Sequence, residues 1–216
     1  MKITKSLFTL IGVAILSSLF GNLQAQKIER YTVKNATIVY KHTGMTEGKE
    51  TVYIQDYGMK EARYTELTAS AFGFSTTSNE LELNLGNVLY SVNLTDKTGT
   101  KTVMLDDLEM DKEDVQEYEE LGKEMLEAMG FEKTGTENVL GKKCEVWEGL
   151  GTKMCIWKNL PLKTEINMMG KSTIIATSID LGNPPASKFK IPQGINFETI
   201  EDDGEYSSED DMEDLQ

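Results

Sequence analysis

Histidine is nearly missing from this chain, with His42 the single example among 216 residues, and cysteine occurs only at Cys144 and Cys155. That scarcity removes most catalytic and metal-binding equipment. No Gly-x-Ser-x-Gly elbow, His-Glu-x-x-His helix or Cys-x-x-Cys pair is present, and His42, between Lys41 and Thr43 at the end of an expected strand, reads as a solvated side chain. Carboxylates are abundant, but nothing in the pattern marks one pair as buried or as an acid and base couple. The expectation is therefore a protein that is not an enzyme, with no cofactor, no catalytic residue and no metal site. Positive charge is also short: 22 Lys and Arg stand against 36 Asp and Glu, a formal net charge of -14. Such a chain repels phosphate backbones, which excludes nucleic acid as a partner. Long apolar runs are missing after residue 25, so no transmembrane segment is expected once the first residues are removed.

Those first residues are informative. Lys2 and Lys5 precede an apolar run from Leu7 to Phe20, followed by Gly21-Asn-Leu-Gln-Ala25. A positive start, a short apolar core and a small residue at the cut form a signal peptide over 1–25, cleaved between Ala25 and Gln26. No cysteine follows the cut to accept a lipid anchor, so the expected location is the periplasm as a soluble exported protein, with secretion or the cell surface as second choice. Residues 26–197 suffice for one domain. Residues 198–216 hold ten carboxylates and no basic residue, which leaves about -6 on the folded part and reads as a disordered acidic tail. Its acidic clusters lack the alternating ligand spacing of a calcium loop.

Within the domain the dominant rhythm has period two. Leu81, Leu83 and Leu85 share one face of a strand, and after Gly86-Asn87 the pattern resumes as Val88, Tyr90, Val92 and Leu94, which describes a β-hairpin with a two-residue turn. Further strands are expected at Tyr31 to Lys41, Thr51 to Tyr57, Lys101 to Leu105, Lys142 to Glu148, Lys153 to Trp157, Leu162 to Met168 and Ser172 to Asp180. Connections this short make antiparallel neighbours. One helix is expected from Asp111 to Met129: Asp111 caps it, Val115, Tyr118, Leu121, Met125, Leu126 and Met129 form an apolar stripe, and Gly130 stops it. The fold class is thus mainly β with one major helix, a curved antiparallel sheet covered by that α-helix.

Two residue types carry hypotheses. Cys144 and Cys155 flank Glu148-Gly149-Leu150-Gly151, and a hairpin symmetric about Gly149-Leu150 would set them directly opposite, ready to form a disulfide in an oxidising compartment. Two buried free thiols are the alternative. Methionine is plentiful, at Met45, Met59, Met104, Met110, Met125, Met129, Met154, Met168 and Met169. Flexible thioethers suit a cavity that accepts acyl chains, and they equally suit an irregular core between helix and sheet.

The stretches Thr136-Glu-Asn-Val-Leu-Gly-Lys-Lys-Cys144-Glu-Val-Trp147, Cys155-Ile-Trp-Lys-Asn-Leu-Pro161-Leu-Lys-Thr-Glu165 and Lys188-Phe-Lys-Ile-Pro192-Gln-Gly194 resemble an uncharacterised family of secreted envelope proteins similar to the lipoprotein-carrier superfamily typified by LolA. The resemblance implies an open half-barrel whose concave apolar side is covered by a helix. The long N-terminal amphipathic helix of that carrier has no counterpart, since the first strand begins soon after Gln26. Two functions follow. One is a non-catalytic periplasmic protein binding a hydrophobic ligand, a lipid or acyl chain, in the groove, lined by Val115, Tyr118, Leu121, Met125 and Met129 on the helix and Leu83, Tyr90, Val92, Ile166 and Met168 on the sheet. The other is an envelope protein interaction module with a filled core, which meets its partner by a sheet edge or the acidic tail.

Overall fold

The computed structural model describes residues 30–71, 74–103, 115–168 and 170–201, and the side chains at 71, 115–121, 200 and 201 lie outside that description. Residues 1–29 and 202–216 are likewise outside it. Twelve strands form one open sheet: β1 (Asn35–Thr43), β2 (Thr46–Gln55), β3 (Lys60–Ala71), β4 (Phe74–Leu85), β5 (Val88–Asn93), β6 (Thr98–Val103), β7 (Glu132–Val139), β8 (Lys142–Gly149), β9 (Thr152–Trp157), β10 (Leu160–Ile166), β11 (Ser172–Asp180) and β12 (Asn196–Glu201). Their order across the sheet is β12-β6-β5-β4-β3-β2-β1-β11-β10-β9-β8-β7. Among the described residues there is one α-helix, α1 (Val115–Ala128), and one 3-10 turn, Ala186–Phe189.

Tight turns explain why neighbours in sequence are neighbours in the sheet. Leu140-Gly141, Leu150-Gly151 and Lys158-Asn159 all have positive φ, the geometry that joins two twisted antiparallel strands with two residues. The Gly86-Asn87 turn falls where the alternation placed it, and Leu81, Leu83 and Leu85 pair with Val92, Tyr90 and Val88 across it. The sequence pattern passed over three strands, β3, β7 and β12, and the outer half of β4. These contain many Thr, Ser, Glu and Lys and lack clean alternation, so their place comes from ladder pairing with neighbours rather than from their own pattern.

Two apolar layers form. The first joins Ala36, Ile38 and Tyr40 of β1 and Val52 and Ile54 of β2 to Cys144, Val146, Cys155, Leu160 and Leu162. The second gathers Ala62, Leu81, Leu83 and Val92 beneath Phe189, with Tyr53, Tyr64, Tyr90 and Phe197 packed around them. Its cover is a correction to the expected architecture. The chain leaves β11, crosses this face as residues 181–195, and adds β12 parallel to β6 at the sheet edge. Tyr64 donates a hydrogen bond of 3.1 Å to the Lys188 carbonyl, and Phe197 meets Tyr90 edge-on at 5.5 Å. The sheet is therefore not wholly antiparallel. Residues 198–201 belong to it and not to a tail, because backbone pairing with β6 compensates the ordering of an acidic segment.

The helix sits elsewhere. Lys123 Nζ lies 3.7 Å from Glu145 Oε2 on β8, and Gly122 approaches Asn159 in the β9–β10 turn. A Cβ on Gly149 would meet the Gly130 carbonyl oxygen at 2.6 Å, so the turn that follows α1 lies directly on the β8 backbone. The expected first residues of the helix, 111–114, are outside the described residues.

The second layer yields a contrast in stability. Leu83 is 0% exposed, so Leu83→Ala should cost about 2–5 kcal/mol, whereas Met125→Ala should change stability by less than about 0.5 kcal/mol. Urea unfolding of both variants checks this, and a large loss in Met125→Ala would restore the helix as the lid of the sheet.

Candidate functional site

The expected groove does not assemble. Leu83 and Val92 are fully buried, and half-buried Tyr90 packs with them, all under the C-terminal segment and not under the helix. Ile166 is half-buried at the end of β10, and Met168, two residues further, is 69% exposed. Met125 and Met129 are more than half exposed. The side chains of Val115, Tyr118 and Leu121 lie outside the described residues. The expectation assigns all apolar faces of the sheet to one helix, whereas among the described residues α1 meets β8 and the β9–β10 turn.

The exposed apolar residues have an order of their own. Nine large hydrophobic side chains are exposed among the described residues, and six occur at one end of the strands. Met45 is in the β1–β2 turn, Phe74 at the start of β4, Leu150 in the β8–β9 turn, Met168 in the β10–β11 turn, and Met125 and Met129 at the end of α1. Register places them together: Thr43 pairs with Thr173, Ile166 with both Ser172 and Thr152, and Glu132 with Glu148. Contacts continue along this rim. Met45 Sδ would lie 3.0 Å from a Cβ on Gly170, and Met168 Cγ 3.1 Å from one on Gly151. From β4 to β8 the rim extends over an arc of roughly 35 Å at ordinary strand spacing. Its turns at 44–45 and 150–151 carry no charge, the 167–171 turn carries Lys171 alone, and residues 67–79 form a run of 13 uncharged residues in an acidic chain. Of the other three exposed hydrophobics, Leu140 and Leu181 lie at the opposite end and Ile191 in the crossing segment.

Phe74 is the most exposed of the nine, at 80%. Strand β5 ends at Asn93 opposite Glu80, so among the described residues the first part of β4 has no ladder partner on that side. Leu150 occupies φ 48, a left-handed conformation that costs an ordinary side chain about 1–2 kcal/mol. Its side chain nevertheless points 66% into solvent.

A polar cluster lies on the other face of β1 to β5. His42 is buried, contrary to the solvated reading, and its ring reaches Glu50 Oε2 at 3.0 Å on the same face of the β1–β2 pair. Arg63 donates to Glu50, donates to Glu61 Oε1 at 3.1 Å, and keeps Nε 3.7 Å from Glu82. Tyr31 donates to Glu61 Oε2 at 2.8 Å, and burial, then the Glu61 charge, raises its hydroxyl pKa. Arg30 donates to the Gly58 carbonyl at 3.0 Å and lies 3.7 Å from Glu61. Beside these groups is an open cavity of about 360 Å³, lined by Arg30, Glu61, Arg63, Glu82, Asn84 and Leu89. The chain contains 22 basic residues but only two arginines, and both are here. That scarcity was visible in the sequence and passed unused. No group of His, Cys, Asp and Glu suited to a metal ion occurs among the described residues, and no described helix is long and apolar enough to cross a membrane.

The cysteines are both free and buried. Cys155 faces Val146, not Cys144, because the hairpin turns on Leu150-Gly151, one residue later than symmetry suggested. Cys144 and Cys155 are diagonal neighbours whose thiols hydrogen-bond to each other. Burial, then that bond, pushes the Cys155 thiol up to about 12, and burial raises Cys144 as well.

No protein-family model matches this chain, and no curated protein matches it. A crystal structure of an uncharacterised conserved protein from Thermus thermophilus is similar in fold, with a TM-score of 0.50, 9% identity, and coverage of 80% of this chain and 94% of that one. At that identity the likeness concerns the fold alone.

Because the thiolate is the reactive form, the reduced folded protein should resist iodoacetamide at pH 8 and take up two adducts only after unfolding. Mass spectrometry checks this, and rapid modification of native protein would show that the pair is open to solvent.

Proposed function

We propose that this chain is a non-catalytic exported protein that binds lipid or another hydrophobic ligand, and that it does so by the rim of the sheet rather than in a groove beneath the helix. The observation that supports the reading is the alignment of Met45, Phe74, Met129, Leu150 and Met168 along one end of the strands, where the turns carry little charge. Both apolar layers are filled by the chain's own side chains, which leaves the rim as the apolar material available to a partner. Separate flexible tips suit a fluid apolar surface, where each side chain enters independently and methionine adapts its shape. Full transfer of one such side chain from water contributes about 1.5–3 kcal/mol, so a few partial insertions produce measurable binding. The strain at Leu150 fits a residue kept for contact rather than for turn geometry.

The unpaired start of β4 favours a second reading, an envelope interaction module that accepts an extended peptide along that edge. Backbone groups without partners recruit another strand, and the 67–79 run lacks the charges that block such pairing.

Vesicle co-sedimentation separates the two. The protein should partition onto neutral phosphatidylcholine vesicles, more weakly onto anionic ones, and added salt should narrow that gap because the chain is acidic. Leu150→Asn should relax the turn and raise stability by about 1 kcal/mol while weakening vesicle binding several-fold. Leu140→Asn, with φ 52 at the opposite end, should also stabilise but leave vesicle binding unchanged. Absence of partition, or equal loss in both variants, counts against the rim.

A further inference from the structure

The cavity lined by Arg30, Glu61, Arg63, Glu82, Asn84 and Leu89 lies towards the β4–β5 turn, at the end of β4 away from the rim. Its chemistry is different. Asn84 Oδ1 is buried and has no hydrogen-bond partner, an arrangement that costs free energy unless something donates to it. Asn84 stands in register with Glu61 on one side and Leu89 on the other, and Glu82 is two residues earlier on the same face, about 7 Å away by strand geometry. Glu82 is 60% exposed, and its one ion pair among the described residues is the 3.7 Å approach of Arg63 Nε.

Two arginines beside a cavity would ordinarily suggest an anion. Here both guanidinium groups are already committed. Arg63 is shared among Glu50, Glu61 and Glu82, and Arg30 between the Gly58 carbonyl and Glu61. Of the three carboxylates paired with these two guanidinium groups, Glu50 and Glu61 are buried and Glu82 alone is exposed. What is left over is acceptor capacity: the Asn84 oxygen and the outer part of Glu82. Leu89 adds an apolar wall beside them.

We propose that this cavity binds a small organic amine, whose ammonium group donates to Asn84 Oδ1 and pairs with Glu82 while its alkyl part lies against Leu89. The arginines then act as positioning residues. They hold Glu61 and Glu82 in place, and the two carboxylates balance their charge at the cavity wall. The site is independent of the rim, and either can fail without the other.

Thermal shift and isothermal titration of the whole mature protein decide this, with butylamine and ethanolamine as probes and sodium acetate and inorganic phosphate at matched ionic strength as controls. The amines should raise the melting temperature saturably and the anions should not. Asn84→Leu, of similar size and without the unpartnered oxygen, should melt at the same or a higher temperature and bind amines at least tenfold more weakly. Glu82→Gln should weaken them several-fold. Asn84→Asp, which adds a carboxylate, should tighten amine binding and remains informative if Asn84→Leu does not fold. Binding of acetate or phosphate in place of the amines overturns the proposal. So do an undiminished amine response in a folded Asn84→Leu, weaker amine binding in Asn84→Asp, or no response to any probe.

Discussion

The apolar stripe that crosses β3, β4 and β5 needs a roof, and everything distinctive about the architecture follows from where that roof comes from. Ala62, Leu81, Leu83 and Val92 would face water if the sheet ended with β11. The chain instead returns across them, sets Phe189 on the stripe, and continues into β12 beside β6. This one crossing supplies the lid and fixes the far edge of the sheet, while among the described residues α1 meets β8 and the β9–β10 turn. Leu83, Tyr90 and Val92 therefore lie under the crossing segment, and exposed apolar side chains gather at the strand ends.

The opposite face obeys a different constraint. Glu50 and Glu61 are almost completely buried, and carboxylates taken from water need partners that hold their charge. Arg63 serves both, and Tyr31 and His42 complete their hydrogen bonding. Burial by itself would lower the pKa of Arg63, yet Glu50 and Glu61 keep it above its usual range. Asn84 is outside this set of pairings. A network that satisfies five charged or titrating groups and omits one neutral oxygen points to the omission as the informative atom.

Much of the fold was legible in period two. The Leu81 to Val92 hairpin, its turn, the facing of Leu83, Tyr90 and Val92, and the mainly β class all followed from residues whose spacing and burial agree. The failures have a common physical origin. Thr-rich β3 and the outer half of β4, and charged β7 and β12, are strands because neighbours pair with them, and pairing partners distant in sequence leave no mark on local pattern. The crossing segment 181–195 holds three prolines and no periodicity, so nothing local announces that Phe189 will lie on Leu83. Methionine counting found the right residue type with the wrong location, since a flexible side chain is compatible with core, cavity or surface. The two arginines carried the clearest unread signal: in a lysine-rich chain a rare arginine marks a site that uses the planar guanidinium fork to hold more than one carboxylate.

Nine of the eleven strand pairings join elements adjacent in the chain, and the exceptions are β1 with β11 and β6 with β12. Hairpins of that kind zip early, since little entropy is lost in closing them. The crossing segment arrives late in a polypeptide that emerges from its N-terminus. Until about the last thirty residues appear, Leu81, Leu83 and Val92 form a bare greasy strip on an otherwise finished sheet. Newly made chains therefore pass through an interval of stickiness, and a holding chaperone that shields this strip would determine how much product escapes clumping.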